Sequence, residues 1–156
     1  RIVAGPRASQ IGDAGRTDGG TLSWLAKKES GVSYHYLVGR DGTVYSVVPE
    51  RLSAWHAGIS SWKGRQIGDS VNKFSIGVAF ANSGTGKEPY RAEQYEAGAE
   101  LVGDVCARHG IEIDDVVGHA DVSPGRKSDP WAWFDWPRFR ELVRAAVAAR
   151  PEGSGG

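Results

Sequence analysis

The stretch FSIGVAFA, residues 74–81, decides the fold because it is apolar almost throughout. A strand with one exposed face alternates apolar and polar residues, whereas a continuous apolar run suits a strand that is buried on both faces. The stretch therefore predicts a strand in the middle of a sheet.

A β-hairpin is predicted on the N-terminal side of this strand. Two β-rich runs, 32–38 and 43–48, flank a turn that contains Asp41-Gly42, a common hairpin dipeptide. Gly, Pro and Ser residues predict loops over 5–20 and 49–71, the second with a helical turn near Leu52 at most. Thr21 suits a helix N-cap, which predicts a short helix from there to Lys28.

Helices are predicted on the C-terminal side. Residues 91–109 place apolar side chains at helical spacing, and Gly110 stands at the expected C-cap. A short strand is expected over 115–118, and Trp136-Pro137 opens a final amphipathic helix.

Length and composition indicate one soluble domain, residues 1–150, followed by a flexible tail or linker remnant, 151–156. The chain has 156 residues, 40% hydrophobic and 24% charged, and its 19 basic and 19 acidic residues balance. A net charge of zero gives no broad field for nucleic acid. No apolar run approaches the ~20 residues of a membrane span, and no signal peptide is recognisable. No apolar stripe is left over from the expected core, so we expect a monomer.

A candidate metal site lies in the segment Gly118-His119 to Asp129-Pro130. His119 and Asp129 stand ten residues apart in a Pro- and Gly-containing loop, and imidazole and carboxylate are ordinary Zn²⁺ ligands. A catalytic zinc needs three protein ligands and one open position. On spacing alone, hydrogen-bonded loop residues explain this pair at least as well.

Four segments together resemble the type 2 N-acetylmuramoyl-L-alanine amidases, a family that includes phage endolysins, bacterial amidases and peptidoglycan recognition proteins. The segments are SYHY with RDGTV (33–36, 40–44), AWHAG (54–58), NKFSIGV (72–78) and GHADVSPGRKSDP (118–130). The resemblance covers about residues 21–145 in the family's order. It implies an α/β fold in which a central, mostly parallel mixed sheet is flanked by helices.

The resemblance also implies a reaction and its residues. The family uses a zinc-bound water to cleave the amide between N-acetylmuramic acid and L-alanine in peptidoglycan, at the bacterial cell wall or in the periplasm. His119 and Asp129 match zinc ligands, Lys127 matches the oxyanion-stabilising residue, and Tyr34 matches a tyrosine that assists catalysis. The substrate groove is expected to include Trp55, His56, Asn72 and Arg126. Packing is an equal alternative for Tyr34 and Trp55, and His35 is expected to serve the core.

Two positions depart from the family's pattern. Gly5 stands where the first zinc histidine is expected, and Ala79 stands where many members carry a glutamate general base. Two hypotheses therefore remain. In the first, the chain is a zinc amidase, weakened or with a third ligand from His35, His56, Asp13 or water. In the second, it is a silent domain that binds peptidoglycan or muropeptide without metal.

Overall fold

The computed structural model of the chain describes residues 2–7, 33–57, 61–62, 65–66, 70–83, 85–125, 130 and 134–150. Its strands are β1 (Ile2–Arg7), β2 (Tyr36–Val38), β3 (Val44–Ser46), β4 (Ser61–Trp62), β5 (Arg65–Gln66), β6 (Ile76–Ala81) and β7 (Val116–Gly118). Its α-helices are α1 (Ser70–Lys73), α2 (Ala92–His109), α3 (His119–Val122) and α4 (Trp136–Ala148), and Ile113–Asp115 forms a 3-10 helix.

Five strands form one sheet in the order β3-β2-β6-β1-β7, so β6 is central as predicted. Strands β2, β6, β1 and β7 run parallel, and only β3 pairs antiparallel with its neighbour β2. All six residues of β6 are buried, which explains its continuous apolar sequence. The expected mostly parallel mixed sheet with flanking helices is confirmed.

Helices α2 and α4 cover one face of this sheet. Val78 and Phe80 of β6 share a buried cluster with Val102 of α2 and with Phe139 of α4. Gly98 lets α2 lie directly on the sheet, because a Cβ atom there would come within 2.4 Å of the Phe80 ring. The opposite face of β6 presents Gly77, Ala79 and Ala81, so small residues leave room above the sheet.

Several predicted elements are confirmed and some are corrected. The hairpin, the long helix with Gly110 in the left-handed region (φ 61°), the strand before His119 and the final helix are all present. The loop predicted over 49–71 was wrong in part, because it contains the ribbon of β4 and β5 and the start of α1. The loop predicted over 5–20 was wrong at its start, because β1 continues to Arg7.

Other expectations lie outside the described residues. They are the short helix over 21–28, the rest of the loop over 8–20 and the tail over 151–156. The division into a domain and a tail stays a prediction. Within the described ranges, no helix has the length and apolar character that crossing a membrane requires.

Glu50 ties the segment after β3 to the end of α2. Its carboxylate accepts two hydrogen bonds of 2.7 Å from Arg108 and one of 2.5 Å from the Tyr36 hydroxyl, and His109 Nε2 lies 2.6 Å away. The Arg108 bonds in particular hold the pKa of Glu50 far below its usual range. This ionised carboxylate anchors the segment that leads to residues 51–57.

We expect Glu50→Gln to lower the free energy of unfolding near neutral pH by about 1–2 kcal/mol, because charged hydrogen bonds are lost. The folded-state pKa of Glu50 is depressed, so its stabilisation exists above the unfolded value of 4.5 and is lost as pH falls below it. Urea titrations from neutral pH to about pH 3 should therefore show a flatter pH dependence for the variant.

Glu141→Gln is the matched control, because the Glu141 side chain in the Glu141–Arg144 pair is 76% exposed and such pairs contribute little. Equal pH dependence in wild type and Glu50→Gln would contradict the anchoring role.

Candidate active site

The register of the sheet places the two positions that differ from the family's pattern, Gly5 and Ala79, side by side. Ala79 of β6 pairs with Gly5 of β1, so the two residues are direct neighbours on adjacent parallel strands. Ala4 pairs with Gly118 at the end of β7, so His119 leaves the sheet at the level of Gly5. The missing histidine, the missing glutamate and the predicted ligand His119 therefore belong to one row across the sheet.

His119 begins α3 and is buried, with 6% of its surface exposed. Its Nε2 lies 3.2 Å from the carbonyl oxygen of Ala57. A carbonyl only accepts hydrogen bonds, so Nε2 carries the proton of this bond. Metal-bound histidines have this arrangement, in which the second ring nitrogen donates to a fixed oxygen.

His56 is fixed by a chain of hydrogen bonds through Ser75. The Ser75 hydroxyl donates to the carbonyl of Val71, so its oxygen accepts from His56 Nε2 at 2.7 Å. The proton of His56 is therefore on Nε2. Asn72 Oδ1 accepts the backbone N–H groups of His56 and Ala57 at 3.3 and 2.8 Å. Both the ring and the main chain of His56 are held in place.

Gly77 lies beneath these histidines. Its N–H donates to His35 Nδ1 at 3.0 Å, and His35 Nε2 donates to the Leu52 carbonyl at 2.8 Å. A Cβ atom on residue 77 would lie 2.5 Å from His56 Cγ, so the His56 ring packs directly on the glycine. His35 therefore serves the core as expected, and both of its ring nitrogens are used by the backbone.

Burial keeps His35 and His56 neutral. Desolvation lowers the pKa of His35, although its bond to Leu52 opposes the shift. Desolvation, together with the neighbouring His35 and His119, lowers the pKa of His56 to about 3, although a hydrogen bond to the Ala54 backbone opposes the shift. Around neutral pH these rings act as hydrogen-bonding or ligating groups and carry no charge.

The structure places the other predicted residues as follows. Tyr34 is 3% exposed and packs with Leu37 and Ala79, and its ring centre lies 6.1 Å from that of His56. Asn72 is 5% exposed and its oxygen is used inside the protein. Trp55, in contrast, is 60% exposed. Arg126, Lys127 and Asp129 lie outside the described residues, and their roles stay predictions.

A family model described as N-acetylmuramoyl-L-alanine amidase (Amidase_2) matches residues 6–132. The chain belongs to this amidase family. It is 41% identical over 112 residues to the 1,6-anhydro-N-acetylmuramyl-L-alanine amidase AmpD of Salmonella typhimurium, which covers 72% of this chain and 57% of AmpD. It is 35% identical over 146 residues to the amidase AmiD of Escherichia coli, covering 85% of this chain and 50% of AmiD. The chain thus spans about half the length of these relatives.

Solved structures of the amidase family share the fold. AmiD from E. coli, in complex with anhydro-N-acetylmuramic acid-L-Ala-D-γ-Glu-L-Lys, superposes with a TM-score of 0.76 at 32% identity, over 90% of this chain and 56% of AmiD. AmpDH3 from Pseudomonas aeruginosa gives a TM-score of 0.78 at 25% identity, over 90% and 58%. A mutant endolysin from Bacillus subtilis gives a TM-score of 0.65 at 22% identity, over 91% of this chain and 83% of the endolysin, which shows the fold only.

The zinc that the amidase family implies fits this site in part. His119 has the tautomer and the backbone partner of a ligand. Gly5 has no side chain to contribute, and the part of the chain that the structure describes contains no cluster of three His, Cys, Asp or Glu residues. A third donor, besides His119 and the predicted Asp129, must therefore come from another position if zinc binds.

Sequence reasoning missed Ser75 and Gly77. The contact of Ser75 with His56 depends on the path of the chain between them and leaves no pattern in the sequence. Gly77 did leave a signal, because a glycine inside an apolar strand often marks a close approach of another group.

We expect Gly77→Ala to lower the free energy of unfolding by about 1–3 kcal/mol, since the new methyl group would overlap the His56 ring. Urea denaturation measures the loss. The same substitution should cost less in a His56→Ala background, where the ring is absent. An equal cost in both backgrounds would place the clash elsewhere.

Proposed function

We propose that this domain binds peptidoglycan fragments and hydrolyses the amide bond between N-acetylmuramic acid and L-alanine. The observation that carries the proposal is the similarity over 90% of the chain to AmiD in complex with its anhydromuramyl tripeptide. The identity to AmpD of S. typhimurium, an amidase by name, supports the same bond. Such a substrate implies action on bacterial cell wall or on fragments of it in the periplasm.

Trp55 suits the binding of the sugar. Its backbone N–H donates to Ser33 Oγ at 2.8 Å, and its backbone carbonyl accepts from the backbone N–H of Ser33 at 3.0 Å. The main chain of Trp55 is therefore fixed. The residue is nevertheless 60% exposed, next to the buried His56 in the sequence. A large aromatic surface held in place beside a site suits stacking on the apolar face of a sugar ring.

The chemistry follows from the residues that surround His119. Bound zinc would polarise the scissile carbonyl and lower the pKa of a water. His119 and Asp129 supply two of its ligands, and Lys127 stabilises the charge that develops on the carbonyl oxygen. Tyr34 packs beside His56, and its hydroxyl is proposed to assist proton transfer in place of the glutamate that Ala79 replaces.

Binding without cleavage is the second candidate, and one observation favours it. Gly5 and Ala79 are direct neighbours in the sheet. The position of a metal ligand and the position of a general base therefore both lack a functional side chain. Trp55, the exposed residue of the predicted groove, needs no metal to contact a muropeptide.

Incubation with anhydro-N-acetylmuramic acid-L-Ala-D-γ-Glu-L-Lys, the ligand of AmiD, separates the candidates. We expect mass spectrometry to show the released tripeptide and the free anhydromuramic acid, and we expect His119→Ala to abolish the release. His109→Ala is the control, because His109 lies at the end of α2 and contacts Glu50 instead. Calorimetric binding with no product would establish the silent domain, and neither binding nor product would overturn both candidates.

We expect Trp55→Ala to weaken binding of the same ligand about 5- to 10-fold, because sugar stacking is lost. The thermal midpoint should not change, since the ring is largely exposed. Leu52→Ala is the control, as Leu52 is also an exposed apolar residue, at 51%. Equal affinities of wild type and Trp55→Ala would remove Trp55 from the groove.

A further inference from the structure

The chain crosses from one face of the sheet to the other between Glu50 and Leu52. Tyr36 packs against the core on the helical face, which α2 and α4 cover, and its hydroxyl donates to the Glu50 carboxylate at 2.5 Å. His35 directly precedes Tyr36, so its side chain lies on the opposite face, where its ring contacts that of His56. Its Nε2 donates to the Leu52 carbonyl at 2.8 Å. Glu50 and Leu52 are therefore held from opposite faces.

On the helical face, Arg108 is the partner that fixes the Glu50 carboxylate. Its guanidinium donates two hydrogen bonds of 2.7 Å, one to each carboxylate oxygen. Such a bidentate pair fixes the direction of the carboxylate as well as its distance. Among the hydrogen-bond partners of Glu50, Arg108 contributes most to the depressed pKa of this carboxylate and His109 contributes least. The end of α2 therefore holds the Glu50 side chain in one orientation.

Glu50 lies inside a turn that leads to Trp55. The backbone N–H of Leu52 donates to the Pro49 carbonyl at 2.9 Å, which closes a four-residue turn with Glu50 in it. Three residues later Trp55 is 60% exposed, and its main chain is bonded to Ser33. The orientation of the Glu50 carboxylate and the path of the chain toward Trp55 are therefore set together.

We propose that Glu50, held by Arg108, is a positioning residue for muropeptide binding, because the pair sets the path of the turn at Pro49–Leu52 and thereby the place at which Trp55 meets the sugar. The inference rests on the proposed function, since that function supplies the ligand. Glu50 touches no ligand atom and acts through Trp55. The proposal extends the binding machinery to the end of α2, on the face of the sheet opposite to the buried histidines.

The affinity for the anhydromuramyl tripeptide tests this role. We expect Glu50→Gln and Arg108→Gln each to weaken the affinity about 3- to 5-fold, less than the complete loss of the indole in Trp55→Ala. Calorimetry gives the affinity if the ligand stays intact. If the ligand is cleaved, KM should rise by the same factor while kcat stays unchanged, because a lost binding contact affects both states equally. Every variant is measured at a temperature at which it is folded.

Double variants show whether the effect passes through one path. Glu50→Gln should cost no further affinity in an Arg108→Gln or a Trp55→Ala background, because residues that act through each other are not additive. Val143→Ala is the stability control, since Val143 is 0% exposed in the helical-face core and its truncation destabilises the fold. It should leave the affinity unchanged. Unchanged affinity in Glu50→Gln, a full further loss in the Trp55→Ala background or an equal loss in Val143→Ala would overturn the proposal.

Hydrogen exchange separates this proposal from the proposed function, because it needs no ligand. Glu50→Gln should speed local exchange of the Leu52 and Trp55 backbone N–H groups relative to Val143→Ala. Faster exchange in a protein that binds no tripeptide would support the positioning of the turn and refute the proposed function. Unchanged exchange would refute the positioning role, even in a protein that binds and cleaves the tripeptide.

Discussion

The candidate site depends on Gly77 at the centre of the sheet. Its N–H donates to His35 Nδ1, and the absence of a Cβ atom lets the His56 ring pack on the strand. A residue with a side chain at this position would displace His56, and with it the main chain that carries the Ala57 carbonyl. One glycine in a buried strand thus sets the position of the segment that borders His119.

The two faces of the sheet carry separate tasks. The face covered by α2 and α4 is filled by large apolar side chains such as Phe80 and Phe139, whose rings meet edge to face at 5.8 Å. The other face has glycine and alanine in the central strand and buried polar groups above it. The helical face can therefore supply most of the stability. The other face can then hold buried histidines and their hydrogen-bond partners.

Elements that depend on local sequence could be predicted, whereas those that depend on distant contacts could not. The central strand, the hairpin at Asp41-Gly42 and the helix ending at Gly110 all follow from periodicity and turn chemistry. The ribbon of β4 and β5 has two residues in each strand, too few for a pattern to show. His119 was found through family resemblance, but the roles of Ser75 and the Ala57 carbonyl needed the three-dimensional path of the chain. The departures at Gly5 and Ala79 were visible in the sequence, yet only the register of β1 and β6 shows that they are neighbours.

The protonation pattern of the buried histidines is the central claim, and long-range proton–nitrogen correlation NMR on ¹⁵N-histidine-labelled protein tests it most directly. The structure predicts that His35, His56 and His119 all carry a proton on Nε2, and that His35 Nδ1 accepts the N–H of Gly77. A proton on Nδ1 in place of Nε2, in either His35 or His56, would contradict the account.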